Sequence, residues 1–149
     1  MLPFIVLLVT SAAAWLVGRV APFTATVPAA VAVGLAAMFL LTASAHFVQP
    51  RRDGLVAIVP RALPNAAALV TVSGLAEVVG AISLLLPATR SLAAVALAVL
   101  LVVVFPANVR AAGTRRHPAS PTTPLPLRTV LQVVFTGACL LVAIGSAGG

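Results

Sequence analysis

Long stretches without a charged residue constrain this chain more than any other feature of its sequence. Five apolar segments, each near the roughly 20 residues that cross about 30 Å of hydrocarbon as a helix, alternate with shorter polar links. Strands would need a closed barrel and an alternating pattern, whereas these segments are apolar on all sides. The sequence therefore predicts an all-α, polytopic membrane helical bundle in a single domain, with four core transmembrane helices and a leading N-terminal span. The predicted spans are about 2–18, 28–48, 66–86, 91–112 and 125–146.

Composition excludes several other classes of protein. A mean hydropathy of +1.21 with 7% charged residues leaves too little polar surface for a soluble domain. The nine basic residues are all arginines at the edges of the apolar segments, so nucleic-acid binding is not expected. A single cysteine, Cys139, excludes a redox pair of cysteines. A metal site would need His46, Glu77 and Asp53, which the spans place at different depths, so none is expected.

The arginines also orient the predicted bundle. Only Arg19 and Arg90 flank the first and third links, and the other seven flank the second and fourth. Because arginine-rich links stay on the cytoplasmic side, we expect the N-terminus in the cytoplasm and the C-terminus outside. The first span has no basic residue before it and is longer than the apolar part of a signal peptide, so we expect it to be retained. The seven arginines are Arg51, Arg52, Arg61, Arg110, Arg115, Arg116 and Arg128.

The links themselves carry structural signals. The link 87–90 is so short that the third and fourth spans must be antiparallel neighbours, with Thr89 or Ser91 as a helix cap. The second link should hold a short interfacial turn that begins at Asp53 and ends at Pro60. The link 113–126 contains four prolines and should be irregular.

Glu77 is the residue that most needs an explanation. It lies about eleven residues into the third span, roughly 16 Å deep and close to the bilayer centre. An ionised carboxylate facing lipid at this depth costs several kcal/mol. Small residues one turn away on either side let another helix approach, so we expect Glu77 to face the bundle interior. These small residues are Ser73, Gly74, Gly80 and Ala81.

Other polar side chains fall in the same half of the predicted bundle. His46 and Asn108 lie near the ends of the second and fourth spans, and Arg128 and Gln132 lie in the first turns of the fifth. Their convergence would form a pocket with Glu77 as its floor, open toward the arginine-rich side. Pro106 leaves the carbonyl of Val102 without its helical donor, and the local distortion favours a polar cavity. The candidate ligand-binding residues are Glu77, His46, Asn108, Ser73, Gln132 and Arg128.

Each candidate also has a structural interpretation. A protonated Glu77 that hydrogen-bonds a neighbouring helix would fix helix register and would bind no ligand, proton or quinone. His46 is equally consistent with an interfacial anchor, and Asn108 and Gln132 with hydrogen bonds between helices. The side chain of Arg128 can simply extend to the head groups. The sequence leaves these alternatives open and assigns no catalytic residue.

Five short segments stand in order along the chain: SAHFVQPRR, IVPRALP, SGLAEVVGAISLLLPATRSLA, VFPANV and PLRTVLQVVF. Together, over about residues 36–135, they resemble the DoxX-like family of small bacterial integral membrane proteins. The resemblance implies a four-helix bundle in the bacterial cell (inner) membrane and an association with quinone-linked oxidoreductases. Quinone is the one cofactor that it suggests. The residues that match the family pattern are His46, Pro60, Pro64, Ser73, Gly74, Glu77, Gly80, Arg90, Pro106, Asn108, Arg128 and Gln132.

Two functions are consistent with these features. The first is a small membrane subunit, not active alone, that binds a quinone or lipid-like ligand within or beside an oxidoreductase complex. There Glu77 would exchange a proton, and Asn108 or His46 would hydrogen-bond a quinone carbonyl. The second is a non-catalytic anchor or assembly protein for partner proteins or for further copies of the chain. The sequence shows no inverted repeat, which argues against a small-solute carrier.

Overall fold

All regular structure in the described part of the chain is helical, which confirms the predicted all-α fold. The computed structural model describes residues 1–20, 22–113 and 116–147. A 3-10 turn, Pro22–Thr24, joins the first two helices. The α-helices of the described residues are α1 (Leu2–Val17), α2 (Val27–Phe47), α3 (Arg51–Ile58), α4 (Ala66–Leu85), α5 (Pro87–Gly113) and α6 (Leu125–Gly145).

Four of these helices are long and apolar enough to cross a membrane, and they are the four predicted core spans. α2, α4, α5 and α6 contain 21, 20, 27 and 21 residues. The leading helix α1 contains no charged residue but has 16 residues, about 24 Å of helix, which is shorter than a usual span. The helix ends lie within one residue of their predicted positions, except at the start of α5.

Local sequence explains where the core helices begin. Thr26 caps α2, and its Oγ1 accepts a hydrogen bond from the Ala29 N–H at 3.3 Å. Asn65 caps α4 in the same way, accepting from the Ala68 N–H at 3.2 Å. The φ of Asn65 is 49°, in the left-handed region that asparagine tolerates better than most residues.

The connection between α4 and α5 differs from the prediction. The expected link 87–90 is the first turn of α5, and only Leu86 separates the two helices. Proline at position 87 begins the helix because its fixed φ suits the first turn and its missing N–H is not needed there. Neither predicted cap acts as one: Thr89 Oγ1 donates to a carbonyl of α4 at 2.9 Å, and Ser91 Oγ donates to a carbonyl of α6 at 2.8 Å.

The four long helices form a closed ring. α2 packs against α4 and α6, and α5 packs against the same two helices from the other side. The largest fully buried side chains, Phe39, Leu35, Met38 and Leu84, fill the space between them. α1 packs outside this ring on α2, and α3 packs against α2, α4 and α5.

One end of the bundle carries most of the positive charge, and we call it the arginine-rich end. The chain direction brings together there the start of α1, the ends of α2 and α5, the starts of α4 and α6, and α3. Arg19 and Arg90 lie at the other end. Arg115, which the orientation argument counts with the arginine-rich links, lies outside the described residues. The described arginines of the arginine-rich end are Arg51, Arg52, Arg61, Arg110, Arg116 and Arg128.

The links at the arginine-rich end follow the prediction in part. The predicted interfacial turn is α3, which begins at Arg51, two residues earlier than expected, and ends before Pro60. Asp53 does not cap it, because it lies inside the first turn of α3. Its Oδ1 accepts a hydrogen bond from Gln49 Nε2 at 2.9 Å. Residues 116–124 are irregular, as predicted.

Candidate functional site

A cavity of about 670 Å³ lies inside the arginine-rich half of the helix ring. Its walls come from α2, α4, α5 and α6, with α3, the loops and the first residues of α1 around them. Most lining side chains are apolar, among them Phe39, Leu100 and Phe135. This volume falls within the range of small-molecule sites. The cavity wall includes all six residues predicted from the sequence: His46, Ser73, Glu77, Asn108, Arg128 and Gln132.

Glu77 faces the cavity and not the lipid, which confirms the predicted inward orientation. Its residue is only 9% exposed although it lies near the middle of α4. The carboxyl oxygen Oε2 accepts a hydrogen bond of 2.7 Å from Thr42 Oγ1 on α2. The other oxygen, Oε1, lies 3.5 Å from His46 Nε2. The carboxyl therefore joins α4 to α2 while remaining on the cavity wall.

His46 connects the carboxyl to the backbone of α4. Its Nδ1 lies 2.8 Å from the Val70 carbonyl oxygen and 3.2 Å from Ser73 Oγ. Because a carbonyl only accepts hydrogen bonds, the hydrogen is assigned to Nδ1. The opposite ring nitrogen, Nε2, then faces Glu77. His46 is thus not an interfacial anchor at the bundle end but part of the contact between α2 and α4.

Glu77 and His46 are arranged to share one proton. With Nδ1 protonated, one further proton makes the pair either a carboxylic acid beside a neutral imidazole or a carboxylate beside an imidazolium. Both forms have zero net charge, which is the least costly state for two ionisable groups in a low-dielectric interior. The Thr42 hydroxyl can donate to a carboxylate at Glu77, or donate to the Phe39 carbonyl, 3.0 Å away, and accept from a carboxylic acid. The group can therefore hold and release a proton inside the bundle.

Two residues of this network are missed by the sequence analysis. Thr42 lies one helical turn before His46 on α2, and this spacing is the signal that places both on one face. Arg52 was interpreted only as a topology signal. Its Nη1 donates to the His46 carbonyl at 2.7 Å and its Nη2 to Thr71 Oγ1 at 2.9 Å. This guanidinium ties the end of α2 to the start of α4 and fixes the backbone of His46.

The α5 and α6 side of the cavity carries hydrogen-bond donors. Arg128 Nε donates to the Thr123 carbonyl at 2.7 Å, and its Nη1 donates to Asn108 Oδ1 at 3.2 Å. Asn108 therefore holds the guanidinium in place across the two helices. Within the described residues, Arg128 Nη2 and Gln132 Nε2 are buried donors with no hydrogen-bond partner. Both side chains line the cavity, so they leave it rich in donors on this side.

Pro106 lines the cavity two residues before Asn108. It lies inside α5, which continues past it to Gly113. Since proline has no N–H, it cannot donate to the Val102 carbonyl one turn earlier. The position of Pro106 on the cavity wall agrees with the prediction that a cavity forms beside this proline.

The remaining polar residues of the sequence analysis lie elsewhere. His117 Nδ1 accepts a hydrogen bond from the Ala119 N–H at 3.1 Å, within its own loop. Cys139 is fully buried in the apolar core. Trp15 is part of α1, with the Arg19 guanidinium 4.9 Å from the centre of its ring. None of the three lines the cavity.

The comparison with known proteins gives a family but no activity. A family described as a domain of unknown function (DUF8561) matches residues 35–143. The matched region runs from within α2 to within α6 and contains all six candidate residues, whereas α1 lies before it. No curated protein and no solved structure matches the chain. Because the match covers well over half of the 149 residues, the chain belongs to the DUF8561 family.

Proposed function

We propose that the protein is a small membrane subunit that binds a quinone, or a lipid-like ligand of similar polarity, in the cavity. The observation that carries this proposal is the Glu77 and His46 pair on the wall of an otherwise mostly apolar cavity. Burying two ionisable groups in a membrane is costly, and apolar residues would join α2 to α4 at lower cost. If the pair exchanges a proton with a bound ligand, its function explains why two ionisable groups are buried here despite the cost in stability.

The cavity suits a quinone head group. A quinone ring is flat and largely apolar, and its two carbonyl oxygens accept hydrogen bonds. Arg128 Nη2 and Gln132 Nε2 are buried donors that would bind one such oxygen, and Glu77 in its protonated form would bind another. A bound quinone would supply the redox chemistry, and Glu77 with His46 would hold the proton that accompanies it.

The electrons would have to come from a partner. The described helices and loops form no soluble domain that could house a flavin, so we place the protein within or beside a membrane oxidoreductase complex. The resemblance of the sequence to the DoxX-like family supports the same assignment and remains a prediction.

We further place the arginine-rich end on the cytoplasmic side of a bacterial inner membrane. Six of the eight described arginines lie at this end. α6 begins at this end, so the C-terminus is then outside, and with α1 as a span the N-terminus is inside. In a chain that carries Ala147→Cys and Cys139→Ala, the thiol at position 147 should react with an impermeant reagent on intact spheroplasts. A reaction only after permeabilisation would show that the C-terminus lies on the cytoplasmic side.

The binding proposal is tested by titrating the full chain in lipid nanodiscs with a short-tailed quinone analogue. Glu77→Leu keeps roughly the size of the side chain but removes both the exchangeable proton and the hydrogen-bond donor, which a glutamine amide would replace. We expect about tenfold weaker quinone binding, the ratio that corresponds to one lost hydrogen bond. The unfolding temperature, measured in parallel, checks that the variant is folded.

Thr136→Val is the matched control for this titration. Thr136 Oγ1, on α6, is also buried and has no hydrogen-bond partner among the described residues, but Thr136 does not line the cavity. Its quinone affinity should equal that of the wild type. Equal affinities of the Glu77→Leu variant and the wild type, or no binding by the wild type, would overturn the proposal.

A second function, a non-catalytic anchor or assembly protein, is favoured by one observation. Arg51, Arg61 and Arg116 are exposed at the arginine-rich end, where they offer a basic surface to partner proteins. This function predicts no measurable quinone affinity for the wild-type chain. The same titration therefore separates the two functions.

A further inference from the structure

We propose that the cavity opens into an apolar cleft between α4 and α5, and that this cleft holds the hydrocarbon tail of the ligand. The inference rests on the proposed function, because the tail belongs to the ligand whose head group the cavity would bind. It narrows that ligand to an amphiphile with a long apolar chain, dissolved in the membrane.

α4 and α5 are closely packed in the half of the bundle that lies away from the arginine-rich end. A Cβ at Gly80 of α4 would stand 2.6 Å from Leu97 Cδ2 of α5. Between this contact and the connection at Leu86, Leu84 of α4 and Ala93 of α5 are buried. The contact of Gly80 with Leu97 therefore marks the closed part of the boundary between the two helices.

Beyond this contact, toward the arginine-rich end, the boundary between the two helices is open. Ala76 and Val72 continue the contacting side of α4 at spacings of four residues. Leu100 and Val103 continue that of α5 at spacings of three. All four line the cavity, yet Val72 is 63% exposed and Val103 is 67% exposed. A side chain that lines an interior cavity and is also mostly exposed marks a place where the cavity reaches the outer surface of the bundle.

The cleft opens toward lipid. Its four residues lie within helices that are long and apolar enough to cross a membrane. α3 packs against both α4 and α5, and Ile58, Val59 and Pro60 at the end of α3 line the cavity on its head-group side. None of the four residues of the cleft carries a polar side-chain atom. Inside the hydrocarbon layer, such a cleft suits an apolar chain and not water.

The polar groups beside the cleft identify the chain as part of the ligand. Glu77 follows Ala76 directly, and its carboxyl lies on the wall of the same cavity. A head group bound there leaves any chain attached to it next to the cleft. A bulk phospholipid keeps its head group at the membrane surface, whereas Glu77 lies roughly 16 Å deep, so a phospholipid chain would fill the cleft without using the carboxyl. Polar groups inside and an apolar cleft outside together match one amphiphile.

The test compares two quinone analogues with the same head group, one short-tailed and one with a long chain, in titrations of the full chain in nanodiscs. Val72→Trp and Val103→Trp each place an indole ring in the cleft. We expect each variant to lower the ratio of long-chain to short-tailed affinity about tenfold, because the added ring overpacks the space of the tail. Each ratio is compared with that of the wild type in the same lipid, so that partition of the long chain into the bilayer cancels.

Val79→Trp is the matched control for the cleft variants. Val79 is also a valine of α4 that is 63% exposed, but it does not line the cavity. Its ratio of affinities should equal that of the wild type. The unfolding temperature of each variant checks that it is folded. Because the two cleft variants lie on different helices, the test stays valid if one of them misfolds.

A second arm identifies the occupant of the cleft directly. A long-chain analogue with a diazirine in the part of the chain nearest the head group is photolysed with the wild type, and the labelled peptides are mapped. We expect labelling at Val72 and Val103 that an excess of unlabelled long-chain quinone prevents. Labelling of these residues by a phospholipid with a diazirine in its acyl chain, undiminished by the quinone, would show that bulk lipid fills the cleft and would overturn the inference.

The failures of the inference and of the proposed function are distinguishable. If the short-tailed analogue binds the wild type but both cleft variants keep the wild-type ratio, the cleft does not hold the tail and the proposed function stands. An equal loss in Val79→Trp and the cleft variants overturns the inference in the same way. If the short-tailed analogue does not bind the wild type, the proposed function itself is wrong.

Discussion

Glu77 reaches its partners because the residues around it are small. A Cβ at Gly74 would stand 2.5 Å from His46 Cβ, and a Cβ at Gly80 would stand 2.6 Å from Leu97 Cδ2. α4 therefore lies close to α2 on one side and to α5 on the other. This close approach allows one carboxyl to contact both Thr42 and His46 across the helix interface.

Gly34 should be needed for the packing of α1 on α2. A Cβ at this position would overlap Ser11 Oγ and stand 2.7 Å from the Leu7 carbonyl oxygen, a backbone atom that cannot rotate away. We expect Gly34→Ala to lower the free energy of unfolding by about 1–3 kcal/mol, measured by reversible unfolding in detergent.

Gly137→Ala serves as the control for this substitution. In the part of the chain that the structure describes, nothing lies within 4 Å of a Cβ built at Gly137, so the added methyl group has free space. Alanine is also the better helix former, and the variant should be as stable as the wild type or up to about 1 kcal/mol more stable. An equal loss of stability in both variants would show that α1 is not packed on α2 as described.

The sequence predicts how deep each polar residue of the site lies along its helix, but not which residues it contacts. Glu77, His46 and Asn108 were found because their positions in the spans put them in one half of the membrane. The contact of Thr42 with Glu77 depends on how far α2 is shifted along α4. The position of a residue along its own helix does not give this shift. Arg52 was missed for a related reason: charge at a helix end predicts topology but not which carbonyls the guanidinium binds.

At the scale of the helix, Pro106 shapes one wall of the cavity. The residues Pro106, Ala107 and Asn108 all line it, although α5 continues to Gly113. A proline at this place bends a helix, because its ring crowds the preceding turn and one backbone hydrogen bond is missing. We expect this bend to hold the side chains that follow it back from the centre of the bundle.

We expect Pro106→Ala to weaken ligand binding and to stabilise the protein. The new N–H can donate to the Val102 carbonyl, which we expect to stabilise the protein by about 1 kcal/mol and to straighten α5 into the cavity. Quinone affinity should fall while the unfolding temperature rises. Pro126→Ala, in the first turn of α6 where no N–H donor is required, should change neither quantity. If the quinone affinity of the Pro106→Ala variant is unchanged, the proline does not determine the shape of the cavity.

Hydropathy alone predicts the starts of α2 and α4 to within one residue. The structure adds their caps, Thr26 and Asn65, which the sequence analysis does not name. The start of α5 was misplaced because proline at position 87 suggests a break after one helix as strongly as it suggests the first turn of the next. In the structure only Leu86 connects α4 to α5, so the proline at position 87 belongs to the first turn of α5.

At the scale of the molecule, the two ends of the bundle differ in polarity and in packing. The arginine-rich end contains the cavity and the Glu77 and His46 pair. At the other end, the buried Arg90 donates from Nε to the Leu84 carbonyl at 3.0 Å, and its guanidinium lies 5.5 Å from the centre of the Phe23 ring. Ligand and proton are therefore expected to reach the cavity from the arginine-rich end.

The most direct measurement of ligand binding in this cavity is photolabelling of the full chain in nanodiscs with an azido-quinone, followed by peptide mapping. We predict labelling of cavity residues of α4 and α6, such as Ser73 and Gln132, that an excess of unlabelled quinone prevents. Labelling of lipid-facing residues such as Val79 and Val133, with no competition by unlabelled quinone, would contradict a quinone site between these helices.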